Sequence, residues 1–145
     1  MMNAGQICLA PDYLMVPEDK ADEAVAGVTG AAAAMYPRLL DNDDYASIVS
    51  DRHFERLQGL VADARDKGAE VIEVNPAGED FTNANQRKMP LTVLRGVNDD
   101  MTVMQEEIFG PVLPVMTYKA VDQAVDYIND HDRPLGLYYF GEDKT

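Results

Sequence analysis

The chain is poor in cysteine: Cys8 is its one thiol. A single thiol closes no internal disulfide and supports no thiolate metal site, and it fits a reducing compartment. Basic residues are also scarce. Twelve Lys and Arg stand against 26 Asp and Glu, a formal net charge of −14. A surface that negative repels phosphate backbones and anionic lipid, so neither nucleic acid nor membrane is expected as a partner. No apolar run approaches the roughly 18 residues of a membrane-crossing helix. The segment "AVAGVTGAAAAM" is too short, lacks a basic start and lies too far in to be a signal peptide. A cytoplasmic protein is the expectation.

What is present suits one ordinary domain. The 145 residues include 46% apolar residues, and a chain of this size buries roughly 70% of the surface its unfolded form exposes. Residues 12–16, "DYLMV", read as a short buried strand stopped by Pro17. Pro17 and Glu18 suit the first turn of a helix, which Gly27 and Gly30 weaken and Pro37 ends. The Asp-rich "LLDNDDYASIVS" is a solvated loop; its acids do not alternate as calcium ligands in an EF-hand do. Residues 51–67 place Phe54, Leu57, Leu60, Val61 and Ala64 on one helical face, and Gly68 stands where a helix ends. "AEVIEV" then reads as a strand, so helix, turn and strand form half of a βαβ unit. Residues 75–90 form a polar loop, and "LTVL" at 91–94 is strand-like. So is "GPVLPVMTY", although Pro111 and Pro114 restrict it to an edge, a bulge or a partly unpaired strand. Val121, Ala124, Val125 and Ile128 make an amphipathic helix closed by Pro134, and "LGLYYF" reads as a final strand. Helices alternating with strands predict an α/β fold: an open, mostly parallel sheet with flanking helices.

Two stretches stand out chemically. In "NAGQICLAPDY", residues 3–13, the small Ala4, Gly5 and Ala10 leave room for a substrate near Cys8, and the loop offers N–H groups to an oxyanion. Cys8 is either a nucleophile there or a small buried hydrophobe. No base for it is evident, and His53 and His131 read as surface histidines in charged helical settings. In "VMQEEIFGPVLPV", residues 103–115, Glu106 or Glu107 is placed to accept hydrogen bonds from ribose hydroxyls, and Phe109 to pack on a flat ring. The alternative is a capped helix end with Phe109 in the core.

Together these stretches resemble the aldehyde dehydrogenase superfamily. "NAGQICLAPDY" is similar to its catalytic-cysteine segment and "QEEIFGPVLPV" to its nicotinamide-ribose segment, about a hundred residues further on. "APDY", "DRHFERLQGLV" and "RPLGLYYFG" resemble the class 3 branch, which includes the coniferyl aldehyde dehydrogenases. The resemblance runs over essentially the whole chain. It implies oxidation of a small-molecule aldehyde, aromatic if the branch holds, to the carboxylic acid with NAD or NADP. Cys8 is then the nucleophile, passing through a thiohemiacetal and a thioester. Asn3, Gly5 and Gln6 shape its loop, with the Cys8 N–H at the oxyanion. Glu107, which directly precedes Ile-Phe, is the ribose ligand and Phe109 touches the nicotinamide; no metal is implied.

The departures carry expectations of their own. Members of the superfamily are several times longer. The Gly-rich nucleotide loop, the Glu-Leu-Gly-Gly type segment with the general base, the side-chain amide of the oxyanion hole and the closing C-terminal segment find no match here. Residues 1–145 are therefore expected to be the central part of the catalytic domain, beginning just before Cys8. The dinucleotide-binding domain and C-terminal segment are expected to be absent. Such a chain would bind NAD or NADP weakly and turn over negligibly alone, whereas the full-length enzyme would be a homo-oligomer. Two other readings compete: a non-catalytic truncated domain with a folding or association role, and a small thiol esterase using Cys8 alone.

Overall fold

A computed structural model describes residues 2–82 and 86–141. Four strands, β1 (Leu14–Pro17), β2 (Glu70–Glu73), β3 (Thr92–Arg95) and β4 (Val112–Tyr118), form one open sheet in the order β1-β4-β3-β2. The β1–β4 and β4–β3 pairs are parallel and the β3–β2 pair is antiparallel. The expected open, mostly parallel α/β sheet is thus observed. Three helices accompany it: α1 (Ala21–Met35), α2 (Asp51–Asp66) and α3 (Val121–Asp130).

Both faces of the sheet are covered, because successive strand residues point to opposite sides. Val93, Val115 and Val16 pack with Ala21 and Val25 of α1. Leu94 and Val112 turn the other way and pack with Leu57, Leu60, Val61 and Ala64 of α2. Those four α2 residues are the apolar face expected from the spacing, with Phe54 partly buried beside them. Ser50 caps α2 by accepting from the His53 N–H at 3.2 Å, and Gly68 follows its end with a φ of 97°.

Of the alternatives left open by the β4 prolines, the structure takes a partly unpaired strand and not an edge, since β1 and β3 flank it on both sides. The Pro111 carbonyl accepts from Thr92 N–H of β3 at 2.8 Å. By alternation, Pro114 turns its nitrogen towards β1, where pairing begins only at Leu14 and Val115. Its missing donor therefore falls one residue short of the ladder. Two expectations are corrected. First, α2 and β2 are not half of a βαβ unit, because β2 runs antiparallel to its neighbour β3. Second, "LGLYYF" forms no strand. Residues 135–140 pair with neither sheet edge and lie exposed, Phe140 at 88%; apolar content without a neighbouring ladder does not make a strand. Likewise α1 begins at Ala21, after a 3-10 turn over Glu18–Lys20, and Pro17 closes β1. Helix α3 forms as expected, yet buries none of its residues. Polar contacts hold it: the Tyr127 hydroxyl donates to Asp99 at 2.8 Å, and His131 stacks on Tyr127 with ring centroids 3.9 Å apart.

The Asp-rich loop is organised by a buried cation. Lys88, 8% exposed, donates to the carbonyls of Leu39, Leu40 and Asn42 at 3.0, 2.9 and 2.7 Å. The Glu79 carboxylate accepts the N–H groups of Leu39 and Leu40. Lys88→Met would strand three carbonyls, and equilibrium denaturation is expected to show a loss of about 1–3 kcal/mol. An unchanged midpoint would contradict this role. The opposite sign is expected at Gly59, exposed in α2 with nothing within 4 Å of an added Cβ. Gly59→Ala is expected to raise the midpoint by about 1 kcal/mol from helix propensity.

Candidate active site

Parallel pairing builds the site. Strands β1 and β4 run side by side in the same direction, so the segments that precede them reach the sheet at the same end. Those segments are residues 3–13 and 103–111, the two chemically distinctive stretches. They meet in two places. Asp12 Oδ1 accepts the Ile108 N–H at 2.9 Å across 96 residues of sequence. Gly5 lies against Gly110 so closely that a Cβ on Gly5 would collide with the Gly110 carbonyl.

The Cys8 segment is a tight irregular turn. Asn3, Ala4 and Gly5 have φ of 49°, 50° and 77°, three consecutive left-handed residues. Non-glycine residues resist that conformation by about 1–2 kcal/mol each, so the surroundings must hold them. Gln6 does much of this. Its buried side-chain amide donates to the carbonyls of Asn3 (3.1 Å) and Ser47 (3.0 Å) and accepts from Val49 N–H (2.9 Å). Asn3 returns a bond from Nδ2 to the Gln6 carbonyl at 3.1 Å. Asn3 and Gln6 thus hold the turn through their side-chain amides, with Gly5 between them at a positive φ. Cys8 follows as a free, exposed thiol, so it is not the buried hydrophobe that composition alone allowed.

The second segment is not a helix end with a buried aromatic. Ile108 is the buried residue, 1% exposed, while Glu107 is exposed and Phe109 half-buried. Phe109 has a φ of 52°, again left-handed. Anchoring Ile108 on both sides turns the flanking Glu107 and Phe109 side chains away from the core. Burial is the main influence on Asp12 and pushes its carboxyl above the usual carboxylate range; the Ile108 N–H opposes this, and the Glu107 charge adds to it.

His53, read as a surface histidine, and Arg56, which the sequence did not single out, both belong here. His53 Nε2 lies 3.1 Å from the Phe109 carbonyl, and its ring stands edge-on to the Phe109 ring at 6.2 Å. Arg56 donates to the carbonyls of Glu107 and Ile108 and pairs with Glu106. The only sequence signal for either was its place on the polar flank of α2. His131 lies elsewhere, at the C-terminal end of α3 beside Asp99. Among the described residues, no three His, Cys, Asp or Glu side chains gather as a metal ion requires, and no helix is long and apolar enough to cross a membrane.

A mostly parallel sheet covered on both faces, with the segment that holds an exposed thiol joined to a carboxylate-aromatic loop, defines an α/β protein. The model of the aldehyde dehydrogenase family matches residues 1–145, and the chain belongs to that family. It is 55% identical over 144 residues to a probable coniferyl aldehyde dehydrogenase of Caulobacter vibrioides, covering 99% of this chain and 30% of that protein. It is 53% identical over 141 residues to the coniferyl aldehyde dehydrogenase of a Pseudomonas species, covering 97% and 29%. Among solved structures, the substrate-bound state of Staphylococcus aureus AldH superposes with a TM-score of 0.83 at 33% identity, covering 97% of this chain and 29% of that one. A Mycobacterium tuberculosis aldehyde dehydrogenase complexed with NAD+ gives 0.72 at 32% identity, covering 89% and 27%. The chain spans about 30% of the length of these curated relatives.

Proposed function

We propose that these 145 residues are the central part of the catalytic domain of an NAD(P)-dependent aldehyde dehydrogenase. Its substrate is a small-molecule aldehyde, of the aromatic, coniferyl type carried in the relatives' names. The observation that carries this is the joining of the Cys8 turn to the Glu107–Phe109 loop through Asp12 and Gly5.

In this reading the Cys8 thiolate attacks the aldehyde carbon and forms a C–S bond, giving a thiohemiacetal whose oxyanion lies against the Cys8 N–H. A bound NAD(P)+ would supply the acceptor for the hydride that leaves that carbon. The carbon is left as a thioester on Cys8, and water attack then releases the acid and restores the thiol. The residues present fit such a cofactor. Glu107 offers an exposed carboxylate to ribose hydroxyls, and the half-buried Phe109 ring suits a flat heteroaromatic. The base that activates water and the dinucleotide domain are assigned to other parts of a longer polypeptide, in keeping with the share of the relatives that this chain covers. Alone, the 145 residues are therefore expected to turn over negligibly, and the full-length enzyme to work as a homo-oligomer.

The test is NAD(P)H formation by the complete polypeptide that carries these residues. It is offered NAD+ or NADP+ with an aromatic or an aliphatic aldehyde, beside its Cys8→Ala variant. Aldehyde-dependent reduction that requires Cys8 supports the reading. Reduction that survives Cys8→Ala, or none with any aldehyde, overturns it.

A further inference from the structure

Resting on the dehydrogenase reading, we propose that Arg56, assisted by His53, is a positioning residue that presents Glu107 and Phe109 to the cofactor. Three successive carbonyls, those of Glu107, Ile108 and Phe109, turn towards α2. Arg56 Nη2 and Nη1 donate to the first two, the second at 2.8 Å. His53 Nε2 meets the third at 3.1 Å. Arg56 Nε also holds Glu106 Oε1 at 3.1 Å. One planar guanidinium thereby grips two adjacent peptide groups and the preceding carboxylate, a geometry that the single ammonium of lysine does not reproduce.

The loop is gripped from the opposite side as well. Asp12, next to the Cys8 turn, takes the Ile108 N–H at 2.9 Å. The peptide groups on both sides of Ile108 are thus fixed in space, and Phe109 is held at a φ of 52°. Such a conformation persists in a non-glycine residue only where its neighbours over-determine it, and it recurs at ligand clamps. Neither Arg56 nor His53 belongs to the apolar face by which α2 joins the core. Arg56 spends its contacts on the loop backbone and on Glu106, His53 sets the Phe109 ring edge-on at 6.2 Å, and the Glu107 side chain stays exposed. Without the clamp, Phe109 would relax to a negative φ and swing both side chains.

The test uses the complete polypeptide with Arg56→Gln and Arg56→Lys. Arg56→Gln is expected to raise the KM for NAD(P)+ roughly tenfold or more, since bonds from charged donors are the stronger kind. The KM for the aldehyde should stay near wild type, and Arg56→Lys should rescue only in part. Hydrogen exchange across residues 104–110, read by mass spectrometry, should accelerate in Arg56→Gln whether or not turnover is present. Unchanged exchange there overturns the clamp. Faster exchange with unchanged cofactor KM, or with both KM values unchanged and only the melting temperature lowered, overturns the positioning role. A wild-type protein without Cys8-dependent NAD(P)H formation overturns the dehydrogenase reading and the cofactor role with it, and exchange alone then decides the clamp.

Discussion

Cys8→Ala is expected to lower aldehyde-dependent NAD(P)H formation by the complete polypeptide by at least about 10⁴-fold, the scale seen when a covalent nucleophile is removed. Cys8 is the chain's one thiol, is exposed, and lies on the segment that Asp12 and Gly5 join to the Glu107–Phe109 loop. The chain has no other thiol to replace it. Gln6 fixes the turn through bonds at 2.9–3.1 Å that do not involve the Cys8 side chain. The alanine variant should therefore keep its fold and its melting temperature while losing turnover. Cys8→Ser should recover little, because a serine hydroxyl is a far weaker nucleophile than a thiolate. The readout is absorbance of the reduced cofactor, with far-UV circular dichroism confirming the fold. A variant that retained a tenth of wild-type turnover would show that Cys8 is not the nucleophile.

Gly5→Ala is expected to be the most destabilising single-methyl change in the site, by about 3 kcal/mol or more. Two effects add. The residue has a φ of 77°, which a Cβ disfavours, and that Cβ would overlap the Gly110 carbonyl. Left-handed strain costs about 1–3 kcal/mol and overpacking a similar amount. The backbone on the far side has little room to yield. A Cβ at Gly110 would itself lie 2.5 Å from a Leu57 methyl, so Gly110 is already pressed against α2. The clash would force apart the two segments that make the site, so activity should fall beyond the loss of folded protein. Equilibrium denaturation measures the first effect, and turnover per folded molecule measures the second. The contrast with Gly59→Ala, expected to stabilise, guards against reading this as a general intolerance of alanine. A Gly5→Ala protein with wild-type midpoint would show that the two loops do not touch.

Much of the frame was legible in the residues. Leu57, Leu60, Val61 and Ala64 sit at helical spacing and are the buried face of α2. The strands at 14–17, 70–73, 92–95 and 112–118 lie where short apolar runs stand between turn signals. Open choices and errors came where a local rule met a non-local decision. Pro111 and Pro114 left an edge, a bulge or a partly unpaired strand open, and only the stagger of β1, which places the missing donor of Pro114 outside the ladder, decides among them. "LGLYYF" has strand composition, yet a strand exists only where another offers hydrogen bonds. The antiparallel turn of β2 onto β3 is likewise a matter of partner choice.

The chemical inventory was carried by the sequence itself. A single cysteine in a Gly-Gln turn and a carboxylate beside an aromatic are matters of residue type and order, and order is what a sequence records. Their meeting was decided by the tertiary structure. Asp12 reaches Ile108 across 96 residues because β1 and β4 pair in parallel and bring their leading segments to one end of the sheet. His53 and Arg56 were silent for the same reason. On a helix surface they are ordinary polar residues, and only packing of α2 against the loop turns a guanidinium and an imidazole onto three adjacent carbonyls. Periodicity reports which face of an element is buried; it does not report which other element the remaining face will touch.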